Sequence, residues 1–168
     1  MSINAHDLTV PVFIRAFANL SAILDKGLAH AQAAGIDPAT LVGARLAPDM
    51  LTLAGQVQRA SDTAKATAGR LIGGDIPAMA DTETSFPELQ ERIGRTVAYL
   101  EALDPATFAG ALTRPVTLPR RTDPVTMEGQ RYILVFALPN FFFHVTTAYD
   151  ILRHAGVAIG KPDYLGSL

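Results

Sequence analysis

Between Arg131 and Asp150 the chain runs for 18 residues, Tyr132 to Tyr149, without a charged side chain. A run of that kind has to leave water somewhere, and it touches the lower limit of the ~17 to 25 residues that span a bilayer as a helix. Its content argues against a membrane. Pro139, Asn140, His144, Thr146 and Thr147 all lie inside it, and polar side chains at mid-bilayer depth are costly. A helix apolar on nearly all sides is equally the central helix of a soluble bundle. The expectation is therefore a helix buried on most sides, by the rest of a bundle, a hairpin or a second subunit, with Asn140 and His144 as its main polar exceptions. The opening residues carry His6 and Asp7 where a signal peptide would be apolar, and no cationic segment precedes them. Cytoplasmic residence is expected.

The composition agrees with a helical, well-buried chain. Hydrophobic residues make up 49% of the 168, charged residues 18%, and 27 positions are alanine, the strongest helix former, which also lets helices approach closely. Intrinsic disorder is excluded by that balance. The length suits one domain covering residues 1–168. With no cysteine, disulfides, thiol nucleophiles and cysteine-ligated metals are ruled out together. A formal charge of −2 supplies no electrostatic footprint for nucleic acid.

Periodicity places four long helices. Phe13, Phe17, Leu20, Leu24, Leu28 and Ala31 recur at three and four, with Thr9 as expected N-cap, Pro11 in the first turn and Gly35 as C-cap. Asp37-Pro38-Ala39-Thr40-Leu41 reads as a short capped turn. A second helix is expected to start at Pro48-Asp49, carry the stripe Met50, Leu53, Val57, Ala60, Ala64, Ala68 and Leu71, and stop at Gly73-Gly74. Ser85-Phe86-Pro87-Glu88 is a capping box that opens a third. Pro115 to Pro119 and Pro124 to Met127 are alternating, β-branched segments, expected to form a small β-hairpin. The fourth helix covers roughly residues 130–154, broken or kinked at Pro139. The fold expected is all-α, a four-helix bundle with a hairpin between helices three and four. The linker 73–84 is long enough to run the length of a helix, which permits an up-down-down-up order.

Chemistry concentrates on His144. At 100° per residue Ala137, Asn140, Phe141, Thr147, Ala148, Ile151 and Ala155 share its side of the helix. A buried imidazole needs partners at both nitrogens, and Ser61 and Gln58 on the second helix are candidates. Three roles stay open for His144: a core residue that fixes helix register, a ligand-binding or catalytic group, or a metal ligand. The metal role is weakened by the other histidines. No histidine lies between His30 and His144, and His154 is about 15 Å along the same helix. Asp62 is expected to point away from the apolar stripe, so no three-ligand set converges. Arg114, Arg120, Arg121 and Arg131 around the hairpin read as an anion cradle or as surface charge. Asp75, Asp81 and Glu83 in the linker read as solvated. No nucleophile elbow, dinucleotide fingerprint or phosphate loop occurs, so enzyme activity is left open.

Leu46-Ala47-Pro48-Asp49-Met50, Gln56-Val57-Gln58, Ala64-Lys65, Pro139 to Tyr149, Ile151 to Val157 and Gly160 to Leu165 together resemble DUF1993, a bacterial family of unknown function grouped with the DinB/YfiT-like proteins. The resemblance spans essentially the whole chain. It implies an up-down-down-up four-helix bundle, often a homodimer. In the wider superfamily a divalent metal is typically held by one histidine of helix two and an H-x-x-x-H pair on helix four, and some members use it for low-molecular-weight thiol transfer or hydrolysis. His144 matches the second histidine of that pair. The first position is Asn140, and helix two offers Gln56, Gln58 or Ser61 where a histidine is wanted. The chain thus departs from the pattern at two of three ligands. The expectation is a small-molecule pocket lined by Asn140, His144, Ser61 and Gln58, with no cofactor. A transferase or hydrolase that recruits Zn or Ni through His144, and a purely structural dimerisation module, are the alternatives.

Overall fold

The computed structural model describes residues 3–119 and 122–167. The chain is mostly helical, with one small antiparallel sheet. Its order is α1 (Val10–Ala34), α2 (Pro38–Val42), α3 (Leu53–Ile72), α4 (Phe86–Glu101), a 3-10 turn (Pro105–Phe108), β1 (Pro115–Leu118), β2 (Val125–Glu128), α5 (Gly129–Tyr132), a π-helical turn (Ile133–Ala137), α6 (Leu138–His154) and α7 (Lys161–Leu165). Helices α1 and α3 each pack against both α4 and α6, while α7 lies on α1.

The apolar stripes read from periodicity form the core. Phe13, Phe17, Leu20 and Leu24 of α1, Val57, Ala60, Ala64, Ala68 and Leu71 of α3, and Leu89, Ile93 and Leu100 of α4 are all buried. Phe141 of α6 completes an aromatic centre, its ring 4.5 Å from Phe13 and 5.2 Å from Phe17. The fully buried alanines of α3 recur every fourth residue, on the side where small side chains let another helix come close.

Helix ends follow local chemistry more closely than proline position. The second long helix begins at Leu53, not at Pro48-Asp49. Arg45 donates to the carbonyls of Pro48 and Met50 and holds that stretch as a turn, and the Thr52 side chain accepts from Gly55 N–H, which makes Thr52 the cap. Thr9 precedes α1 but does not cap it with its side chain, because its hydroxyl donates back to the Ala5 carbonyl at 2.7 Å. The capping box at Ser85 and Glu88 forms as expected. Asp37 and Asp104 each accept from the amide two residues on, at 3.0 and 2.9 Å, so the repeated Asp-Pro-Ala-Thr segment is one local solution used twice.

The hairpin pairs Pro115 with Glu128 and Leu118 with Val125. Val116 and Leu118 are buried. At its exit Gly129 meets the backbone of Ala111 so closely that a Cβ on it would collide with the Ala111 carbonyl oxygen.

The last long helix is continuous from Gly129 to His154 and is not broken at Pro139. Proline lacks an N–H and its ring collides with the carbonyl four residues back. The π turn at Ile133–Ala137 lies across that carbonyl and reorganises the ladder, since its hydrogen bonds reach five residues instead of four. This helix is long and apolar enough to cross a membrane by length and composition. Within the fold Phe141, Val145, Ala148, Ile151 and Leu152 are buried against the other helices. It is not buried on most sides, however: Leu134, Val135 and Phe143 each stay more than half exposed.

Candidate functional site

Gln56, Thr63 and Arg70 recur every seven residues along α3 and so share one side of it. That side faces the last long helix, where Tyr132, Asn140 and His144 meet it as a ladder of polar pairs. His144 Nδ1 lies 2.8 Å from Gln56 Oε1, Asn140 Nδ2 donates to Thr63 Oγ1 at 2.8 Å, and Tyr132 Oη lies 3.3 Å from Thr67 Oγ1. Between the two helices is a cavity of about 200 Å3 lined by Arg59, Asp62, Thr63, Ala66, Arg70, Tyr132, Phe136, Asn140 and His144.

The protons of this ladder can be assigned. Gln56 Nε2 donates to the Leu51 carbonyl, so Gln56 turns its oxygen to the imidazole and His144 Nδ1 carries the hydrogen. Nε2 of His144 is then an unprotonated acceptor. Burial, and after it the nearby Arg59 guanidinium, hold the imidazole below its ordinary value, which keeps it neutral near pH 7. Thr63 and Thr67 each donate to the carbonyl four residues back, those of Arg59 and Thr63. Their oxygens are therefore left as acceptors, for Asn140 N–H and for Tyr132 O–H respectively. Tyr132, fully buried, in turn accepts from Arg70 at 3.3 Å.

Two of the four predicted pocket residues, Asn140 and His144, line this cavity. The other two are elsewhere. Ser61 is fully buried toward α4, 2.7 Å from Thr96 Oγ1, and Gln58 donates to Glu83 at 2.9 Å. Of the three helix-two residues offered in place of a histidine, Gln56 is the one against His144. Asp62, expected to point away from the apolar stripe, lines the cavity and pairs with Arg59, Lys65 and Arg92. Of the linker carboxylates read as solvated, Asp75 is exposed, but two are also paired. Asp81 pairs with Arg59 and Arg92, and Glu83 pairs with Arg92 at 2.9 Å. Arg114 of the proposed cradle donates instead to the carbonyls of Leu71 and Ala109. Arg120 and Arg121 lie outside the described residues, and Arg131 is exposed.

Thr63, Arg70, Tyr132 and Arg59 went unnamed as site residues in the sequence. For Thr63 and Arg70 the heptad recurrence of polar residues inside an alanine-rich helix is a readable signal. For Tyr132 there is none at 100° per residue, because the π turn intervenes.

The residues present do not fit a three-histidine metal centre. The helix-two position is a carboxamide whose oxygen and nitrogen are both committed, to His144 and to Leu51. Among the described residues no cluster of three or more His, Cys, Asp and Glu side chains is placed to hold an ion.

Fold and site together define a DinB-like helical protein. A crystal structure of a DinB family member protein from Shewanella denitrificans is 43% identical, superposes with a TM-score of 0.92, and is matched over 97% of this chain and 92% of that one. The family model for the domain of unknown function DUF1993 matches residues 5–165, and the chain belongs to that family. Comparison with curated proteins returns no match.

Proposed function

We propose that this protein binds a small polar molecule between α3 and the last long helix, in the cavity at Asn140 and His144, without a three-histidine metal site. The observation that carries the reading is the orientation of His144. Gln56 fixes its Nδ1–H, which leaves the neutral Nε2 as an acceptor on a residue that lines the cavity. The side chain is half-buried, so Nε2 is open to an occupant that enters from solvent. A screen of small polar fragments by NMR, read at the His144 imidazole, tests this. Binding is expected to shift His144 Nε2 and to disappear in His144→Leu with the fold retained. If no fragment perturbs His144 while His144→Leu loses several kcal/mol of stability, the residue is a core polar group and the reading fails.

The architecture we infer is one domain, an up-down-down-up bundle of α1, α3, α4 and the last long helix. Its support is the direction of residue pairings. From Gln56 to Thr67 the α3 numbers rise while their partners fall from His144 to Tyr132, as in antiparallel neighbours. Phe13 meets Phe141 and Gly27 meets Leu152, rising together, as in parallel ones. Ser21 bonds to Gln90 while Gly27 approaches Phe86, again antiparallel. We further propose a cytoplasmic homodimer that covers Leu134, Val135 and Phe143. Sedimentation is expected to return a dimer at tens of micromolar and a monomer for Phe143→Lys, and a strict monomer for the parent protein removes the proposal.

A further inference from the structure

Charge accounting around the cavity singles out one residue. On and beside α3 three cations face three carboxylates: Arg59, Lys65 and Arg92 against Asp62, Asp81 and Glu83, joined by contacts of 2.9 to 3.1 Å and by the close Arg59 to Asp81 pair. That cluster is neutral. Arg70 is outside it. It lines the same cavity, and its only protein hydrogen bond among the described residues is to Tyr132 Oη. A guanidinium has five N–H donors, so most of those on Arg70 have no acceptor among the described residues.

The direction of every hydroxyl adds to this excess of donors. Thr63 and Thr67 have spent their protons on backbone carbonyls, and Tyr132 has spent its own on Thr67. Each is an acceptor already used, by Asn140, by Tyr132 and by Arg70. What the cavity offers an occupant is the Arg70 fork and the second N–H of Asn140 as donors, with Asn140 Oδ1, His144 Nε2 and the already paired Asp62 carboxylate as acceptors. Ala66 and Phe136 supply apolar lining to the same cavity.

Resting on the pocket reading above, we propose that the occupant is a short organic carboxylate, its anionic end held by Arg70 and Asn140 and its apolar part against Ala66 and Phe136. Arginine pairs bidentately with a carboxylate, and the match is charge-assisted. A dianion such as phosphate is disfavoured, because a single unpaired guanidinium supplies the positive charge and the Asp62 carboxylate stands on the same wall. A neutral amide of the same shape would leave the charge of Arg70 unmatched.

The test uses the full-length protein with butyrate, butyramide and inorganic phosphate as probes, titrated by NMR at the Asn140 side-chain amide and the His144 imidazole. Butyrate is expected to move both signals saturably. Butyramide and phosphate are expected to bind at least about tenfold more weakly, the scale on which losing a hydrogen bond to a charged group acts. Arg70→Met should weaken butyrate by about tenfold or more, whereas Arg131→Met, on the exposed surface, should leave it unchanged. If Arg70→Met fails to fold, Arg70→Lys replaces it, with a several-fold loss expected because an ammonium lacks the planar fork. Equal binding of butyramide overturns the carboxylate and leaves the pocket standing. Tighter binding of phosphate overturns it in favour of an oxyanion. Silence at both signals with every probe overturns it as well, and the pocket itself then stands or falls on the fragment screen.

Discussion

Replacing Arg92 by Met should be among the most damaging single changes outside the aromatic centre. The side chain is 1% exposed and makes contacts of 2.9 Å to Asp62, 3.1 Å to Asp81, 2.9 Å to Glu83 and 2.9 Å to the Ala80 carbonyl. Removing one partner of a buried ion pair costs roughly 3–5 kcal/mol, mostly because the other is left uncompensated. Two features reduce that figure here. Asp62 and Asp81 are 35% and 42% exposed and can rehydrate, whereas Glu83 at 12% cannot readily do so. Arg92 Nε is also buried without an acceptor, and that cost vanishes with the substitution. The net expectation is about 2–3 kcal/mol. For a chain of this size about 2–4 °C of Tm accompanies each kcal/mol, so the midpoint should fall by about 4–12 °C in calorimetry. Adding Glu83→Gln should then cost less than it does alone, with a coupling of about 1 kcal/mol or more. A fall under about 2 °C, or strict additivity of the two changes, would show that the cluster contributes no net stability and would refute the reasoning.

Glu83 also sets an acid limit. Burial alone would raise its carboxyl, but hydrogen bonds from Arg92 and Gln58 outweigh that and hold it below the ordinary value of 4.5. A depressed folded pKa gives stability that is present above the unfolded pKa and lost as pH falls through the folded one. The stability gap between the parent protein and Glu83→Gln, from urea melts, should therefore be constant above about pH 5 and close below it; a gap independent of pH would contradict this. Gly129→Ala should destabilise by about 1–3 kcal/mol or more, because its Cβ would meet the Ala111 backbone, which cannot rotate away as a side chain could. A change within ~0.5 kcal/mol in thermal melts would put that contact in error. Gln56→Leu should free His144 to mix its two tautomers, visible as averaged imidazole 15N shifts in place of the Nδ1–H pattern. An unchanged pattern would mean that Gln56 does not orient the ring.

The core was legible because it obeys one period. Phe13, Phe17, Leu20 and Leu24, and equally Val57, Ala60, Ala64 and Ala68, are buried as their spacing implies. Half of the site was legible for the same reason: Asn140 and His144 are one turn apart on an unbroken α segment and point together into the cavity. Ser61 and Gln58 were misplaced because the side of α3 toward α4 is as buried as the side toward α6, so depth in the wheel could not tell the two neighbours apart. Tyr132 was out of reach for another reason. Eight residues from Asn140 it would sit about 80° away on an ideal helix, and only the wider π turn brings both onto α3. The linker carboxylates were missed because a loop composition says nothing about the partners waiting across from it, here Arg59 and Arg92.

Those carboxylates change what the segment between α3 and α4 is. Without Asp81 and Glu83, the two helices would bring Arg59, Lys65 and Arg92 together with Asp62 as their only counter-charge, an assembly that repels itself. The linker supplies the missing anions, and it also lends the carbonyl of Pro77 to Lys65 and that of Asp75 to Tyr99. It therefore belongs to the same cooperative unit as the helices it joins. Surface loops usually open at little free energy, but opening this one uncovers like charges on a helix interface. Proteolytic cleavage within it should therefore need an opening that also separates α3 from α4, and should be slow while the fold is intact.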